Sequence, residues 1–327
     1  MAGTVGTAQI SQMGRHGAGY SFGTFGELVQ GALPEEGAEF LVTLPVELYS
    51  RAYFTVSGDD TILTVEPATK RKALALATLM LRSLNLPERG RLRIDSSIPE
   101  GKGLASSSAD LVASARAIAA AYHRSLSGCD LTDFLRGVEP TDGVMYEGAV
   151  AFLHRRVSLH RFLGQLPPME ILAVDEGGIL DTIAYNQRGK LFSSALREQY
   201  VELLDWVTTG VEHGDLGLIG AAATRSAELN QRFNYKTTLS DLKAIATSCG
   251  AVGVAVAHSG TLCGVLLDRA DPDLRSKRND VWAALGTLGL DLHRFSSWSA
   301  CADTCAFQRR HTPPSDGRFS WRIRRAA

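Results

Sequence analysis

The chain has 327 residues, 45% of them hydrophobic and 21% charged, a composition typical of globular proteins that excludes a disordered, collagen-like or coiled-coil body. Lys and Arg number 34 and Asp and Glu 35, so the formal net charge is -1. A dedicated nucleic-acid binder is expected to be strongly basic, and this balance argues against that class. Residues 306–327 hold six arginines and one acidic residue, which leaves a charge near -6 on residues 1–305.

The sequence also argues against membrane insertion and secretion. No stretch approaches the roughly 18 uninterrupted apolar residues of a membrane span, and residues 1–17 lack the apolar core of a signal peptide. The five cysteines are scattered and lie mostly in apolar runs, which is typical of buried free thiols in a reducing compartment. We therefore expect a cytoplasmic protein that binds neither membrane nor nucleic acid.

Helical and strand-like patterns alternate along the chain after residues 1–18, which are small, polar and glycine-rich, as in a flexible terminus. In chain order, the patterns predict strands between Tyr20 and Val65, a helix at 69–85, a strand at 91–94, a helix at 106–123, a short helix after Asp130, strands at 149–154, 157–162 and 169–175, helices near 190–208, 215–231 and 238–249, strands at 251–258 and 261–268, a helix near 274–287 and a strand near 289–295.

This order of elements favours α+β layers over a doubly wound parallel sheet. The Gly and Pro residues of 164–168 mark the expected domain boundary. We therefore expect four segments, which are a flexible N-terminus (1–18), an N-terminal domain (19–166), a C-terminal domain (167–305) and a basic tail (306–327).

The most informative stretch is PEGKGLASSSAD, residues 99–110, where a glycine-containing loop leads into three serines and a helix. Gly101 and Gly103 permit tight turns, and the helix that starts near Ser106 directs unpaired N–H groups and its positive dipole end into the loop. This layout is typical of a phosphate site, where serine hydroxyls can bind phosphate oxygens or Mg²⁺. The plainer alternative is a serine N-cap. No Gly-Lys-Ser/Thr closes the loop, so it is not a Walker A motif.

This stretch resembles the second signature motif of the GHMP small-molecule kinases, the family of galactokinase, homoserine kinase and the mevalonate kinases. Residues 21–31, SFGTFGELVQG, resemble the first motif of the family, and residues 257–264, AHSGTLCG, resemble the glycine-rich third motif. The resemblance spans about 20–268. It implies a two-domain α+β fold, in which an ATP-binding domain like domain 2 of ribosomal protein S5 precedes a ferredoxin-like domain.

A narrower resemblance, to the branch that phosphorylates L-threonine for bacterial cobalamin assembly, lies in residues 26–31, 139–145 and 175–186. It implies an ATP-dependent kinase, with Mg²⁺ as cofactor, that converts L-threonine to O-phospho-L-threonine. Two alternatives stay open: a kinase for another amino acid or amino alcohol, such as a homoserine-like or natural-product intermediate, and a nucleotide-binding regulator without catalysis. A homodimer is a family-level expectation.

The resemblance also assigns the nucleotide site. The expected phosphate loop and its support are Pro99, Gly101, Lys102, Gly103, Leu104, Ala105, Ser106, Ser107, Ser108, Ser259 and Gly260. Ser107 matches the serine that usually binds Mg²⁺ in the family, and Ser108 is the second choice. Ala105 stands where glycine is common and is expected to permit the same turn. Lys102 is expected either to touch phosphate or to lie in solvent.

The loop EPTDG carries the two expected catalytic carboxylates. By resemblance, Glu139 binds Mg²⁺ and Asp142 is the general base at the substrate hydroxyl. The structural alternative is an Asx turn, in which Asp142 bonds only nearby backbone. Thr24, Glu27 and Thr141 are the expected substrate-binding residues; Glu27 would face the substrate amino group or the ATP, with a buried ion pair as its alternative.

Other polar positions are weaker candidates. Gln30 follows in the first motif, while Asp175 and Asp181 flank a Gly-Gly pair and would line the substrate side or form a plain turn. None of the eight histidines pairs at metal-binding spacing. Cys301 and Cys305 lack the second Cys or His pair that a zinc site requires, so no zinc site is expected.

Overall fold

The computed structural model describes residues 14–35, 38–178, 191–257 and 259–300. Its strands are β1 Arg15–Ala32, β2 Glu39–Val56, β3 Leu63–Glu66, β4 Gly90–Ser96, β5 Ala149–Leu153, β6 Ser158–Gly164, β7 Met169–Asp175, β8 Gly253–Val256, β9 Leu262–Asp268 and β10 Asp291–Ser296. Its helices are α1 Arg71–Ser83, α2 Ser106–Ala121, α3 Gly128–Arg136, α4 Ser194–His213, α5 Leu216–Asn230, α6 Leu239–Ser248 and α7 Leu274–Gly286. The basic tail and Asp181 lie outside the described residues.

One ten-stranded sheet runs through the described chain in the order β10-β7-β9-β8-β1-β2-β4-β3, and β5 and β6 join it at β2. Among the described strands, only β3 and β4 pair in parallel; the other pairs are antiparallel. Helices pack against this mostly antiparallel sheet, and the predicted α+β class is therefore confirmed.

The two expected domains share this sheet. Strand β1 of the first half pairs with β8 of the second half at Glu27 and Val256. Residues 165–168 connect β6 to β7 without regular structure, within the expected boundary at 164–168. The division of the chain into 19–166 and 167–305 stays a prediction. No described helix has both the length and the apolar character needed to span a membrane.

Strand β1 corrects the expectation of a flexible terminus at residues 15–18, because the strand already begins at Arg15; residues 1–13 lie outside the described residues. Gly17 and Gly19 of this strand pack closely against a helix. A Cβ on Gly17 would overlap the carbonyl oxygen of Ala117 in α2, and Gly19 lies equally close to that helix. A glycine-rich sequence is typical of a flexible terminus, but here the absence of a Cβ at Gly17 and Gly19 lets β1 lie directly against α2.

Most predicted helices agree with the structure to within a few residues, and local capping explains the larger difference. Helix α4 was expected near 190–208 but runs from Ser194 to His213. Ser193 caps its start by accepting the N–H of Leu196 at 3.2 Å, and Gly214, with φ of 70°, ends it.

Strand β2 separates two apolar clusters. Phe40, Val42 and Leu44 belong to a cluster with residues of α4 and α5, whereas Leu41 belongs to a second cluster with residues of α1, α2 and α3. Because successive residues of a strand point to opposite faces, these clusters lie on opposite faces of this part of the sheet. A third cluster lies between α6, α7 and strands β7 to β9.

Candidate active site

The expected phosphate loop is a tight turn whose backbone is left-handed at three positions. Gly101 and Gly103 have φ of 73° and 81°, and Ala105 has φ of 57°, so alanine does permit the turn that glycine commonly makes here. Ala105 is the N-cap of α2, and no side chain caps that helix. The serine N-cap alternative is therefore wrong, because Ser106–Ser108 lie within the first helical turn. The helix start thus directs N–H groups and a positive dipole end toward the loop.

The three motifs meet at the level of the backbone. On β1, the N–H of Thr24 donates to the carbonyl of Leu104 at 3.2 Å, and the N–H of Gly26 donates to that of Gly103 at 3.1 Å. On the other side, a Cβ on Gly260 would overlap the backbone of the loop. The third motif therefore supports the phosphate loop from behind, and Ser259 lies half-buried next to Gly260. Pro99 is exposed at the start of the loop.

Ser107 and Glu139, the residues expected to hold Mg²⁺, are in direct contact. The Ser107 hydroxyl donates to Glu139 Oε1 at 2.5 Å, and Lys72 Nζ forms an ion pair with Glu139 Oε2. The Glu139 side chain is largely buried, with 14% of its surface exposed. These are hard oxygen donors of the kind Mg²⁺ prefers, and a site with few protein ligands suits a Mg²⁺ that is also held by nucleotide phosphates. Within the described ranges, no group of three or more His, Cys, Asp or Glu side chains forms a metal site.

Asp142 lies beside this pair. Its carboxylate Oδ2 accepts a hydrogen bond from the Ser108 hydroxyl at 3.2 Å, and the Asp142 backbone N–H donates to Ser108 Oγ at 3.0 Å. This partner is 34 residues away in sequence, and among the described residues the carboxylate accepts no hydrogen bond from nearby backbone, as an Asx turn would require. Burial raises the pKa of Asp142 to about 6; the Ser108 hydrogen bond lowers it, and the nearby charge of Glu139 raises it further.

Lys102 is neither solvated nor unpaired. Its ammonium group lies 2.7 Å from Asp175 Oδ2, at the end of β7, and donates to the carbonyl of Gly178 at 3.1 Å. Asp175 Oδ1 also accepts from the Thr261 hydroxyl at 2.5 Å. Burial acts to raise the pKa of Asp175, but the hydrogen bonds from Lys102, Thr261 and Gly177 outweigh it and hold that pKa below its usual range. This cluster ties the phosphate loop to the second half of the chain.

The expected substrate-binding residues lie around these groups. Thr24 and Thr141 are buried, and Glu27 is half-buried on β1 opposite Thr43 of β2. In the described part of the chain, the Thr141 hydroxyl is one of the few buried polar groups without a hydrogen-bond partner. Gln30, a weaker candidate, shares this property at both polar atoms of its amide.

Two lysines at the start of α1, the N-cap Lys70 and Lys72 in the first turn, belong to the site but were not among the expected residues. Lys72 pairs with Glu139, and Lys70 bridges Glu100 at 2.5 Å and Asp110 of α2 at 2.6 Å. Positive charge is unfavourable near the positive end of the helix dipole. Two lysines at the start of α1 therefore indicate that anionic groups lie nearby to compensate them. They supply local positive charge next to the phosphate loop, although residues 1–305 are acidic as a whole.

The sequence matches two family descriptions that include the phosphate loop, the EPTDG loop and the third motif. Residues 71–150 match the GHMP kinases N terminal domain, which includes the phosphate loop and the EPTDG loop. Residues 207–281 match the GHMP kinases C terminal domain, which includes β8, β9 and the third motif.

Two curated relatives cover most of the chain. The L-threonine kinase of Salmonella typhimurium is 31% identical over 271 residues, which is 80% of this chain and 84% of that protein. The L-threonine kinase of Citrobacter freundii is 28% identical over 254 residues, or 76% of this chain and 85% of that protein.

The fold is shared with solved structures of low sequence identity. The homoserine kinase of Cytophaga hutchinsonii superposes with a TM-score of 0.66 over 91% of this chain and 98% of that one, at 14% identity. The fold, the matches to both domains and the similarity to full-length relatives agree with one another. The chain therefore belongs to the GHMP kinase family.

Proposed function

We propose that this protein is an ATP-dependent L-threonine kinase that forms O-phospho-L-threonine and ADP. The observation that carries the proposal is the pairing of Ser107 with Glu139 and of Ser108 with Asp142 at the start of α2. The first pair is suited to bind a metal ion, and the second is suited to accept a proton. The curated relatives at 28–31% identity are L-threonine kinases, which supports this acceptor.

Asp142 is the proposed general base. In the transfer, the threonine hydroxyl oxygen bonds to the γ-phosphorus of ATP, the bond from that phosphorus to the bridging oxygen breaks, and ADP leaves. The hydroxyl proton passes to the Asp142 carboxylate. A pKa near 6 leaves this group deprotonated at neutral pH yet more basic than an ordinary aspartate, and the Ser108 hydrogen bond fixes the carboxylate's direction.

Ser107 and Glu139 are the proposed Mg²⁺ ligands. The metal, when bound with ATP, neutralises negative charge on the phosphates. Lys72 forms an ion pair with the Glu139 carboxylate and so keeps a cation next to the proposed metal ligands. The turn at 101–105 and the first N–H groups of α2 hold the phosphate oxygens, with Lys102 at the edge of the loop.

A kinase for another hydroxylated amino acid or amino alcohol is the second candidate, because homoserine kinase shares the fold. A nucleotide-binding regulator is the third. Initial rates of ADP release with L-threonine, L-serine, L-homoserine and L-threoninol separate the first two. The variants Ser107→Ala and Asp142→Asn separate both from the third, since a regulator would keep its function after either change.

The cellular setting follows from the proposed reaction and from the family resemblance. We propose that the enzyme works in the cytoplasm, as a homodimer, and that its product enters cobalamin assembly. Deletion of the gene, followed by growth with and without added O-phospho-L-threonine under conditions that demand cobalamin synthesis, tests the pathway. Restored growth supports the proposal; a growth defect that the product does not correct contradicts it.

A further inference from the structure

The amide of Gln30 is buried and has no hydrogen-bond partner among the described residues. The residue is 3% exposed, and neither Oε1 nor Nε2 has a partner among the groups that the structure describes. Leaving both a donor and an acceptor unpaired in the interior is costly, so native proteins rarely retain such a group without a use for it.

The backbone of Gln30, by contrast, is held firmly by α5. Its N–H donates to the Ser226 hydroxyl at 3.0 Å, and its carbonyl accepts from Asn230 Nδ2 at 3.3 Å. Both partners are buried. The position is therefore fixed from one side while the side-chain amide is left unpaired.

Strand register shows which face of the sheet carries the amide. Gln30 lies opposite Leu41 in β2, and Leu41 lies opposite Phe152 in β5. Directly opposed residues of neighbouring strands project to the same face. Glu27 lies opposite Thr43, two residues from Leu41, so it shares that face. On a regular strand, Glu27 and Gln30 would point to opposite faces because they are three residues apart. The register shift between Glu27 and Val29 brings both side chains to one face.

The EPTDG loop covers the same face. A Cβ on Gly143 would lie 3.2 Å from the Cβ of Phe152 and would overlap the side chain of Val150. The flanking residues of the loop are Asp142, the proposed base, and Thr141, whose buried hydroxyl also lacks a partner in the described chain. Gln30 and Phe152 are separated by two strand spacings, which is about 10 Å. A glutamine side chain and a small amino acid together can bridge this distance.

We propose that the Gln30 amide recognises the zwitterionic end of the substrate, with Nε2–H donating to the α-carboxylate and Oε1 accepting from the α-ammonium group. This inference rests on the proposed function. A neutral amide can serve both charges at once, whereas a cationic side chain would serve only the carboxylate. Gln30 is therefore a specificity residue for α-amino acids over amino alcohols and hydroxy acids, and the substrate hydroxyl is left to Asp142.

The test compares wild type with Gln30→Met, Gln30→Glu and the control Gln165→Met. Gln165 is exposed and has both amide atoms bonded, to Glu147 and Ala300. Rates are measured with L-threonine, with L-threoninol, which lacks the carboxylate, and with 3-hydroxybutyrate, which lacks the ammonium group.

For Gln30→Met, we expect KM for L-threonine to rise about 10- to 100-fold, which is the loss of affinity expected when hydrogen bonds to charged groups are removed. KM for ATP should stay within about twofold of wild type. The preference for L-threonine over both analogues should fall by a similar factor. Gln30→Glu should shift preference toward L-threoninol, because its carboxylate repels that of threonine and attracts the ammonium group. Gln165→Met should leave all these constants unchanged.

Unfolding in urea separates recognition from a structural role. Because the Gln30 amide has no hydrogen-bond partner in the described part of the unliganded chain, Gln30→Met should unfold at the same or a higher urea concentration than wild type. A large loss of stability, or an unchanged KM and selectivity with L-threonine, overturns the inference while leaving the kinase intact. A wild-type enzyme that phosphorylates none of the α-amino acids instead overturns the proposed function itself.

Discussion

Ser108 and Asp142 exchange two hydrogen bonds, one from the serine hydroxyl to carboxylate Oδ2 at 3.2 Å and one from the aspartate N–H to the hydroxyl oxygen at 3.0 Å. This pair joins the start of α2 to the EPTDG loop. It engages the hydroxyl that was the second choice for Mg²⁺ and leaves Ser107 as the serine beside Glu139. The second and third of the three consecutive serines therefore have different partners, Glu139 for Ser107 and Asp142 for Ser108.

The first prediction concerns Ser108→Ala. Loss of the hydrogen bond from Ser108 to the Asp142 carboxylate should lower kcat about 10-fold, because one hydrogen bond to a charged group contributes roughly the free energy of a tenfold change in rate. The same bond lowers the pKa of Asp142, so the acid limb of the kcat/KM profile should move above its wild-type position near pH 6. A pH–rate series on both proteins measures the effect. An acid limb that does not move would show that Asp142 does not set the profile.

The second prediction concerns Asp142→Asn. Removing the proposed base should lower kcat about 10²- to 10⁴-fold. The free energy of unfolding of Asp142→Asn should instead increase at neutral pH. Folding raises the pKa of Asp142 from 3.8 to about 6, so the folded chain binds this proton more tightly, and the stabilisation present at low pH is lost as the pH rises through that interval.

At neutral pH the ionised, buried carboxylate then costs up to about 3 kcal/mol, which the neutral amide avoids. Urea unfolding at pH 4 and pH 7 provides the measurement. The variant should gain stability relative to wild type at pH 7 and little at pH 4. A variant that is equally or more destabilised at pH 7 contradicts the raised pKa.

The third prediction concerns the left-handed residue Ala105. At φ of 57°, glycine avoids the steric cost of a Cβ, so Ala105→Gly should raise the free energy of unfolding by about 1 kcal/mol. Ala120→Gly, at an exposed position inside the same helix, is the matched control and should lower it by up to about 1 kcal/mol. Urea midpoints of the two variants measure the contrast, and the same sign of change in both would refute it.

The fourth prediction concerns the contact between the third motif and the phosphate loop. A Cβ at Gly260 would overlap the Lys102 carbonyl, so Gly260→Ala should displace the loop and lower kcat/KM for ATP about 100-fold. Gly58→Ala introduces the same methyl group in open space and serves as the control. Wild-type turnover by Gly260→Ala would mean that the third motif does not support the nucleotide site.

Local sequence predicted the parts of the fold that local forces decide. The glycines of 101–103 and the periodic pattern after Ser106 were enough to locate the phosphate loop and α2, because turns and amphipathic helices leave a short-range signature. Gly17 was wrongly expected to lie in a flexible terminus, since a glycine needed for strand–helix contact has the same local sequence signal as one in a flexible end.

Long-range pairings could not be predicted in this way. Lys72 meets Glu139 across 67 residues, and Lys102 meets Asp175 through the packing of two halves of the sheet. The register shift after Glu27 has no sequence signature, yet it decides that Gln30 shares a face with Glu27. Site chemistry at this level depends on strand register and helix placement, which periodicity alone does not specify.

The most direct measurement is product identification after incubation with ATP, Mg²⁺ and L-threonine, by phosphorus NMR and mass spectrometry alongside ADP release. We predict O-phospho-L-threonine in equal amount to ADP, and a higher kcat/KM for L-threonine than for L-serine, L-homoserine or L-threoninol. ADP formation without phosphothreonine, or a clear preference for another acceptor, would contradict the assignment of L-threonine.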